Sequence, residues 1–203
     1  MPIVFLPVRI MAKNPNPQGK GGSLVLNTLD AHRALPVTLP PKQIDQISAE
    51  LFTSLFVLES KFRFKPVPGQ SYFLYRRPAS GYWLALTPPR MMGESVAGQF
   101  IGICVLRSDM TWTLNLSESA ANDADFLDEL DQKKRAFDHR LQSAEQIDDL
   151  LPVYERGFDF YRRASAFALA YSLSRSMKRS GISGLSYDSA RGLLADDSAR
   201  KDS

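Results

Sequence analysis

The sequence is poor in the residues that build disulfides and metal sites. Its 203 residues include one cysteine, Cys104, and two histidines, His32 and His139. A single cysteine cannot form an internal disulfide, and its place in an apolar run predicts a buried thiol, which suits a reducing cytoplasm. The two histidines stand alone without metal-ligand spacing, so we predict neither a metal site nor another cofactor.

Long apolar runs are also missing. The longest, from about Ala164 to Leu173, falls far short of the roughly 20 residues that span a bilayer, so no transmembrane segment is predicted. The first ten residues are apolar but contain Pro2 and Pro7 and lack a charged leading region. These features argue against a secretion signal. An alternative hypothesis places the true start of translation at Met11.

Charge and composition indicate an ordinary globular protein. The formal net charge of +3 is too small by itself to indicate a nucleic-acid partner. A hydrophobic fraction of 44% over this length suits one domain with a single core. We predict a loop-rich arm over residues 1–40, a single α+β domain over residues 41–178 and a disordered tail over residues 179–203.

No segment of the sequence meets the requirements of a catalytic motif: two have the wrong residue spacing, and two carboxylate pairs lie in exposed contexts. The loop of residues 13–22 lacks the Ser or Thr that must follow the lysine of a phosphate-binding loop, since Gly21 follows Lys20. Residues 181–184 are one position too short for a nucleophile elbow. The carboxylate pairs at 148–149 and 196–197 lie in exposed contexts where solvated charge is the common outcome. No catalytic residue is predicted.

Helices are predicted on both sides of a central region. From Gln43 to about Leu58, apolar residues recur at three- and four-residue steps and form a wide stripe. A second helix is predicted over residues 122–142 and a third over about 153–178. The third has a surplus of basic residues, which could bind acidic protein, RNA or lipid headgroups, although a solvated face is commoner. These basic residues are Arg156, Arg162, Arg163, Arg175, Lys178 and Arg179.

The central region contains five short runs with strand patterns and turn residues between them. The runs cover residues 62–65, 71–77, 81–87, 98–107 and 110–116. Gly98 and Gly102, at the fourth run, indicate a bulge, a bend or a close approach of two backbones. We therefore predict an α+β fold with a curled five-stranded antiparallel sheet, flanked by an N-terminal helix and C-terminal helices.

Aromatic and basic residues along this sheet form the main candidate binding surface. Strand alternation places Tyr72 and Tyr75 on opposite faces, and likewise Tyr82 and Trp83, so part of this set belongs to the core. The candidate binding residues are Lys20, Arg63, Lys65, Tyr75, Arg77, Trp83, Arg90 and Asp109.

These observations favour a non-enzymatic cytoplasmic binding or adaptor protein with a protein partner. RNA is a more weakly supported partner, because aromatic rings could stack on bases while basic residues pair with phosphates. The alternative is an enzyme of unrecognised type. Its site would lie at the sheet end, formed by Tyr75, Arg77, Arg90 and Asp109 and covered by the Asn14–Gly22 loop. The sequence leaves the oligomeric state open.

Several stretches of the sheet resemble a family of uncharacterised proteins. They are residues 69–77, the turn of residues 86–89 with Gly93, and residues 98–102 followed by Leu106, Asp109 and residues 110–113. The loop of residues 14–21 resembles the start of the bacterial members. Over about residues 14 to 116 the sequence thus resembles domain-of-unknown-function family 2452 (DUF2452), which bacterial and animal proteins share. The resemblance implies no activity and no functional residue.

Overall fold

A computed structural model describes residues 41–77, 80–92, 98–153 and 157–193 of the chain. The predictions for residues 1–40, including Lys20 and the Asn14–Gly22 loop, lie outside these ranges, as does Arg156. The helices with both ends described are α1 (Ile44–Glu59), α2 (Glu118–Ala121), α3 (Ala124–Ser143) and α4 (Phe160–Arg179). The strands are β1 (Ser71–Arg77), β2 (Gly81–Ala85), β3 (Gln99–Leu106) and β4 (Trp112–Leu116). Short 3-10 turns cover Pro89–Met91 and Ile147–Leu150.

The four strands form one antiparallel sheet in the order β2-β1-β3-β4. The α+β class is as predicted, but the sheet has four strands rather than five and is not strongly curled. Two hairpins, β1-β2 and β3-β4, lie side by side, so β1 and β3 occupy the centre. The sheet end at which β1 finishes is therefore the end at which β3 begins.

The predicted first strand, over residues 62–65, is wrong. Lys61 alone pairs with β2 there: its N–H donates to the Tyr82 carbonyl at 2.9 Å, and its carbonyl accepts from Leu84 N–H at 3.0 Å. Beyond Lys61 the chain leaves the sheet edge. Phe62 is buried, and the Phe64 ring stacks on Tyr72 with centroids 5.3 Å apart. The alternation in this run reflects core packing without a strand ladder.

The fourth predicted strand contains a bulge and a close backbone approach. In the register of β1 with β3, Leu74 faces Gly102 and Tyr75 faces Phe100, so Ile101 is an extra residue. Ile101 is fully buried on the helix side of the sheet. A Cβ atom on Gly102 would lie 2.2 Å from the carbonyl oxygen of Asn115 in β4. Only glycine allows the two strands to come this close.

The main core lies between one face of the sheet and the helices. The predicted helix from Gln43 is confirmed as α1, which packs against β4 and α4. Cys104 is buried in this core, as predicted, and burial raises the pKa of its thiol to about 12. The thiolate form is therefore strongly disfavoured at neutral pH.

Aspartate caps fix where the two long C-terminal helices begin. The Asp123 carboxylate accepts a hydrogen bond from Phe126 N–H at 3.0 Å, and the Asp159 carboxylate accepts one from Arg162 N–H at 3.1 Å. The predicted helix over residues 122–142 is thus confirmed as α3. The predicted helix over 153–178 begins later, at Phe160, where Asp159 provides the cap.

The described residues after α4 are folded, which differs from the disordered tail predicted from residue 179. Gly181, at φ +70°, ends α4, and Ile182 N–H donates back to the Met177 carbonyl at 3.0 Å. Ile182 and Ala190 are buried in the main core, and residues 187–193 are helical. The tail packs because this glycine cap reverses the chain and returns its apolar residues to the domain.

Candidate functional site

The face of the sheet opposite the main core carries a second apolar cluster, here called the outer-face cluster. All of its members except Met92 come from three strands, because Tyr75 in β1 lies opposite Trp83 in β2 and opposite Phe100 in β3. Side chains that face one another across neighbouring strands lie within contact distance. The cluster consists of Phe73, Tyr75, Trp83, Ala85, Met92 and Phe100.

Aromatic contacts hold the outer-face cluster together. The Tyr75 and Trp83 rings stack with centroids 5.0 Å apart and an angle of 25° between their planes. The Phe100 ring lies 5.4 Å from Tyr75 and 6.3 Å from Phe73. The Arg77 guanidinium lies 4.9 Å from the centre of the Trp83 ring, within the range of a cation–π interaction. Three of the predicted candidates, Tyr75, Arg77 and Trp83, therefore meet on one surface.

Tyr75 also fixes the chain that follows β2. Its hydroxyl donates a hydrogen bond to the Thr87 carbonyl at 2.9 Å, and burial raises the pKa of this phenol above its ordinary value. Met92 then packs onto the cluster at the end of the Pro89–Met91 turn. Arg90, another predicted candidate, is exposed within that turn.

Three large apolar side chains that neighbour cluster members in the sequence or in the strand register are exposed: Leu86 follows Ala85, Met91 precedes Met92, and Ile103 faces Phe73. Leu86 is 59% exposed, Met91 72% and Ile103 38%. In the part of the chain that the structure describes, no helix residue belongs to the outer-face cluster, whereas helices contribute much of the main core. The cluster members are buried or partly buried, and Ile103 beside them is exposed. An exposed apolar side chain next to an aromatic cluster makes this face a candidate interaction site.

Two cavities border this surface. The first, of about 550 Å³, lies at the sheet end where β1 finishes, and the second, of about 480 Å³, lies at the β2 edge. Arg63 and Trp83 both line the second cavity. The lining of the first is Tyr75, Pro89, Met92, Gly98, Gln99, Phe100 and Ser119. Lys65, near Arg63 in the sequence, is exposed.

The remaining aromatic residues of the predicted surface belong to the main core. Tyr72 and Tyr82 are both buried there. The Tyr82 ring makes an edge contact with Phe56 at 5.0 Å, and burial, together with the nearby Glu129 charge, raises the pKa of its phenol. These two tyrosines therefore support the fold, as strand alternation predicted for half of the set.

Asp109 lies at the other end of the sheet, in the turn between β3 and β4. Its carboxylate is 2.7 Å from the Lys42 ammonium and also accepts hydrogen bonds from the Thr111 N–H and hydroxyl. Burial alone would raise the pKa of Asp109, but the hydrogen bonds from Lys42 and Thr111 and the Lys42 charge lower it overall. The structure thus does not bring Asp109 together with Tyr75 and Arg77.

The basic residues of α4 divide into two groups. Arg162 donates to the Leu58 and Glu59 carbonyls at 3.0 and 3.2 Å, and its guanidinium lies 4.1 Å from the Phe158 ring centre. Burial lowers its pKa. Arg162 therefore caps the C-terminal end of α1 by binding its last free carbonyl groups. The other described members are exposed: Arg163, Arg175, Lys178 and Arg179.

Sequence patterns missed four members of the outer-face cluster, namely Phe73, Ala85, Met92 and Phe100. Simple alternation along β3 assigns Phe100 the same side as Gly102 and Cys104, but the bulge at Ile101 reverses that assignment. Phe73 was identifiable, because it alternates with Tyr72 and shares the parity of Tyr75.

The described residues define a small α+β domain, with helices on one face of a four-stranded antiparallel sheet and an aromatic cluster on the other. The family model described as "Protein of unknown function (DUF2452)" matches residues 44–132. These residues form a DUF2452-like domain, which confirms the resemblance seen in the sequence with somewhat different boundaries. Searches of curated proteins and of solved structures found no significant match.

Two further observations concern the described residues only. None of their helices has a stretch that is both long and apolar enough to cross a lipid bilayer. Within the same ranges, no three His, Cys, Asp or Glu side chains are grouped as ligands for a metal ion. The predicted cytoplasmic location stays a prediction.

Proposed function

We propose that this domain is a non-enzymatic binding protein that holds an apolar segment of a partner protein on the outer face of its sheet. The observation that carries the proposal is the outer-face cluster, in which aromatic side chains of three strands form a surface that no described helix covers. Aromatic and methionine side chains are enriched at protein–protein contacts. Ile103, which faces Phe73 across the β1–β3 pair, is exposed and enlarges that apolar area.

Charge around the cluster indicates the chemistry of the partner. Arg77 lies over Trp83, Arg63 lines the neighbouring cavity, and Arg90 is exposed in the turn that carries Met92. Basic side chains at the rim of an apolar contact favour acidic residues on the other partner. The partner segment is therefore apolar where it covers Ile103 and acidic at its flanks.

RNA receives less support from the same geometry. Base stacking requires aromatic rings with free faces. Tyr72 and Tyr82 are in the main core, and Tyr75 is buried against Trp83, whose ring also contacts Arg77. The aromatic rings on which the RNA hypothesis was based are thus largely occupied by the protein itself.

One of the four residues that the enzyme hypothesis assigned to its site lies elsewhere in the structure. Asp109 forms a buried ion pair with Lys42 at the far end of β3, away from Tyr75, Arg77 and Arg90. The Asn14–Gly22 loop, which that hypothesis placed over the site, lies outside the described residues. The binding hypothesis requires neither Asp109 nor this loop.

Site-specific crosslinking tests the proposal. A photoreactive amino acid at position 103, on the outer face, is compared in living cells with the same amino acid at position 132, where exposed Gln132 lies on α3. We expect a protein crosslinked from position 103 and absent from position 132. The crosslinked protein is then purified and its affinity for the intact domain is measured directly.

Charge-matched variants complete the test. Ile103→Glu places a charge in the apolar surface and should weaken binding of the purified partner by about tenfold or more, whereas Gln132→Glu should leave it unchanged. Gln132→Glu should keep the melting temperature of the parent, and Ile103→Glu should lower it by a few degrees at most, because Ile103 is already 38% exposed. Equal crosslinking from both positions, or full affinity in Ile103→Glu, would refute the proposal. Recovery of RNA from position 103 would refute it in favour of the RNA hypothesis.

A further inference from the structure

Helix α4 carries charge of one sign only. Its 20 residues include five arginines and lysines and neither aspartate nor glutamate. Arg162 is used inside the domain, where it binds the carbonyls at the end of α1. The other four basic residues are exposed. The helix therefore presents a cationic surface that is separate from the outer-face cluster.

One side of α4 packs against the rest of the domain. Small and apolar residues such as Ala166, Leu169, Leu173 and Met177 are buried in the main core, and the helix packs against α1. These positions recur at three- and four-residue steps and occupy one side of the helix. Residues on the opposite side are not required for this contact.

The outward side carries a straight apolar stripe. Phe160, Phe167 and Tyr171 lie on one line along the helix because they are seven and four residues apart. Phe160 is 39% exposed, and neither Phe167 nor Tyr171 is buried. None of the three belongs to either apolar cluster of the described residues. The line continues beyond Tyr171 with two polar residues, so its members are Phe160, Ala164, Phe167, Tyr171, Ser174 and Lys178.

The spacing of this stripe is that of a helix–helix seam. Its steps of four, three, four, three and four residues follow the alternation with which one helix packs along another. Exposed Arg163 lies on one flank of the stripe and exposed Arg175 on the other, with Arg175 over the Tyr171 ring at 6.0 Å. Charges in these flanking positions select the charge of the partner helix.

We propose that the outward stripe of α4 binds an acidic amphipathic helix of another protein. The apolar seam of that helix would cover Phe160, Phe167 and Tyr171, and its flanking glutamates or aspartates would pair with Arg163 and Arg175. Two features favour a helix over a lipid surface: the seam spacing, and basic flanks on both sides of a narrow apolar line. The absence of acidic residues from α4 favours a partner of negative charge.

A synthetic peptide provides the test with the full-length chain. The probe is a fluorescent helical peptide of about 21 residues, with leucines on its seam and glutamates on both flanks. A scrambled peptide of identical composition lacks the seam, and a third peptide replaces each flanking glutamate with lysine. We expect the acidic seam peptide to bind more tightly than either control by about tenfold or more, and its binding to weaken as salt is raised.

Charge reversal assigns the binding to α4. The double variant Arg163→Glu with Arg175→Glu should lose about tenfold or more in affinity for the acidic peptide and gain affinity for the lysine peptide. The double variant Arg135→Glu with Arg140→Glu makes the same change in net charge on the exposed side of α3 and should bind as the parent does. If the first pair impairs folding, Arg163→Gln with Arg175→Gln should give a smaller loss in the same direction.

Several results would overturn this proposal. Equal binding of the seam and scrambled peptides would mean that charge alone is recognised. Equal loss in the α3 control would mean that the site is elsewhere. Binding to vesicles that contain phosphatidylserine, abolished by the α4 variants while the peptide fails to bind, would assign the stripe to a membrane surface instead. Self-association of the chain that the α4 variants abolish, without peptide binding, would assign it to a second copy.

Discussion

The Lys42 ammonium lies 2.7 Å from a carboxylate oxygen of Asp109, 67 positions further along the chain. Lys42 is 5% exposed and Asp109 is 4% exposed. Glu50 of α1 lies 2.5 Å from the same ammonium, so one cation binds two carboxylates. The contact joins the start of α1 to the turn between β3 and β4. A buried charge that loses its partner costs far more than an exposed one.

Asp109→Asn should lower the free energy of unfolding by about 3 kcal/mol at neutral pH, because it removes one charge of a buried pair. The loss lies at the lower end of the range for such pairs, since Glu50 remains as a partner for Lys42. Urea denaturation of the variant and the parent, followed by circular dichroism, measures the difference.

An exposed ion pair gives the matched comparison. Lys133 and Glu59 lie 2.7 Å apart but are 34% and 50% exposed. Glu59→Gln should therefore change the free energy of unfolding by less than about 1 kcal/mol. If the two variants proved equally stable, the buried pair would have no special role. Replacing both buried partners, by Lys42→Met with Asp109→Leu, should restore part of the loss because no unpaired charge remains.

The pH dependence of stability should identify the same carboxylate. The pKa of Asp109 is lower in the folded protein than in the unfolded chain, where it is about 3.9. The stabilisation from Asp109 is therefore fully present above that unfolded value and is lost as pH falls through the folded value. We expect the stability difference between the parent and Asp109→Asn to be constant from pH 7 to about pH 5 and to shrink below about pH 4. A difference that stays constant down to pH 3 would contradict this assignment.

Sequence patterns correctly predicted those elements whose residue periodicity lies within one short segment of the chain. The apolar residues of α1, from Ile44 to Leu58, recur along one short segment, so their period is visible without knowledge of the fold. The run of residues 62–65 shows why a period alone is insufficient. Its alternation is real, but whether it becomes a strand depends on a partner edge, and the chain leaves β2 after Lys61.

Only those contacts of the candidate site that form between strands of one hairpin could be predicted from the sequence. Tyr75 and Trp83 come from one hairpin, so strand pairing brings them together. Asp109 was assigned to the wrong end of the sheet because the connection between hairpins sets which turn lies at which end. Lys42 was missed altogether, since its partner Asp109 is distant in sequence and no local pattern marks a buried ion pair.

Gly102→Ala should lower the free energy of unfolding by about 3 kcal/mol, a large value for the addition of one methyl group. The added Cβ would lie 2.2 Å from the Asn115 carbonyl oxygen, which is a backbone atom that cannot move without separating β3 from β4. Thermal and urea denaturation measure the loss. A second readout is hydrogen exchange, which should accelerate at the amides that join these two strands.

Gly157→Ala is the control for this substitution. Gly157 has no atom within 4 Å of the position that a Cβ would occupy, and its φ is outside the left-handed region. Alanine at position 157 should leave stability unchanged within about 0.5 kcal/mol. Comparable losses at both positions would show that the close approach of Gly102 to Asn115 does not limit the substitution.

Met110 provides a case in which backbone conformation and side-chain burial oppose each other. It has φ +64° in the turn after Asp109, a conformation that favours glycine, yet its side chain is only 5% exposed. Met110→Ala should lower the free energy of unfolding by about 2 to 3 kcal/mol, because the buried side chain is lost while the unfavourable φ remains. Met110→Gly also loses the side chain but relieves the backbone, so it should be about 1 kcal/mol more stable than Met110→Ala.

The order of these two variants is the decisive measurement, because in an ordinary extended or helical position alanine is the more stable of the pair. Urea denaturation of both at the same pH gives that order directly. If Met110→Ala proved the more stable, the turn between β3 and β4 would have to adopt a negative φ at residue 110 in solution. Asp109, one residue earlier, would then also be oriented differently toward Lys42, and the loss expected in Asp109→Asn would fall with it.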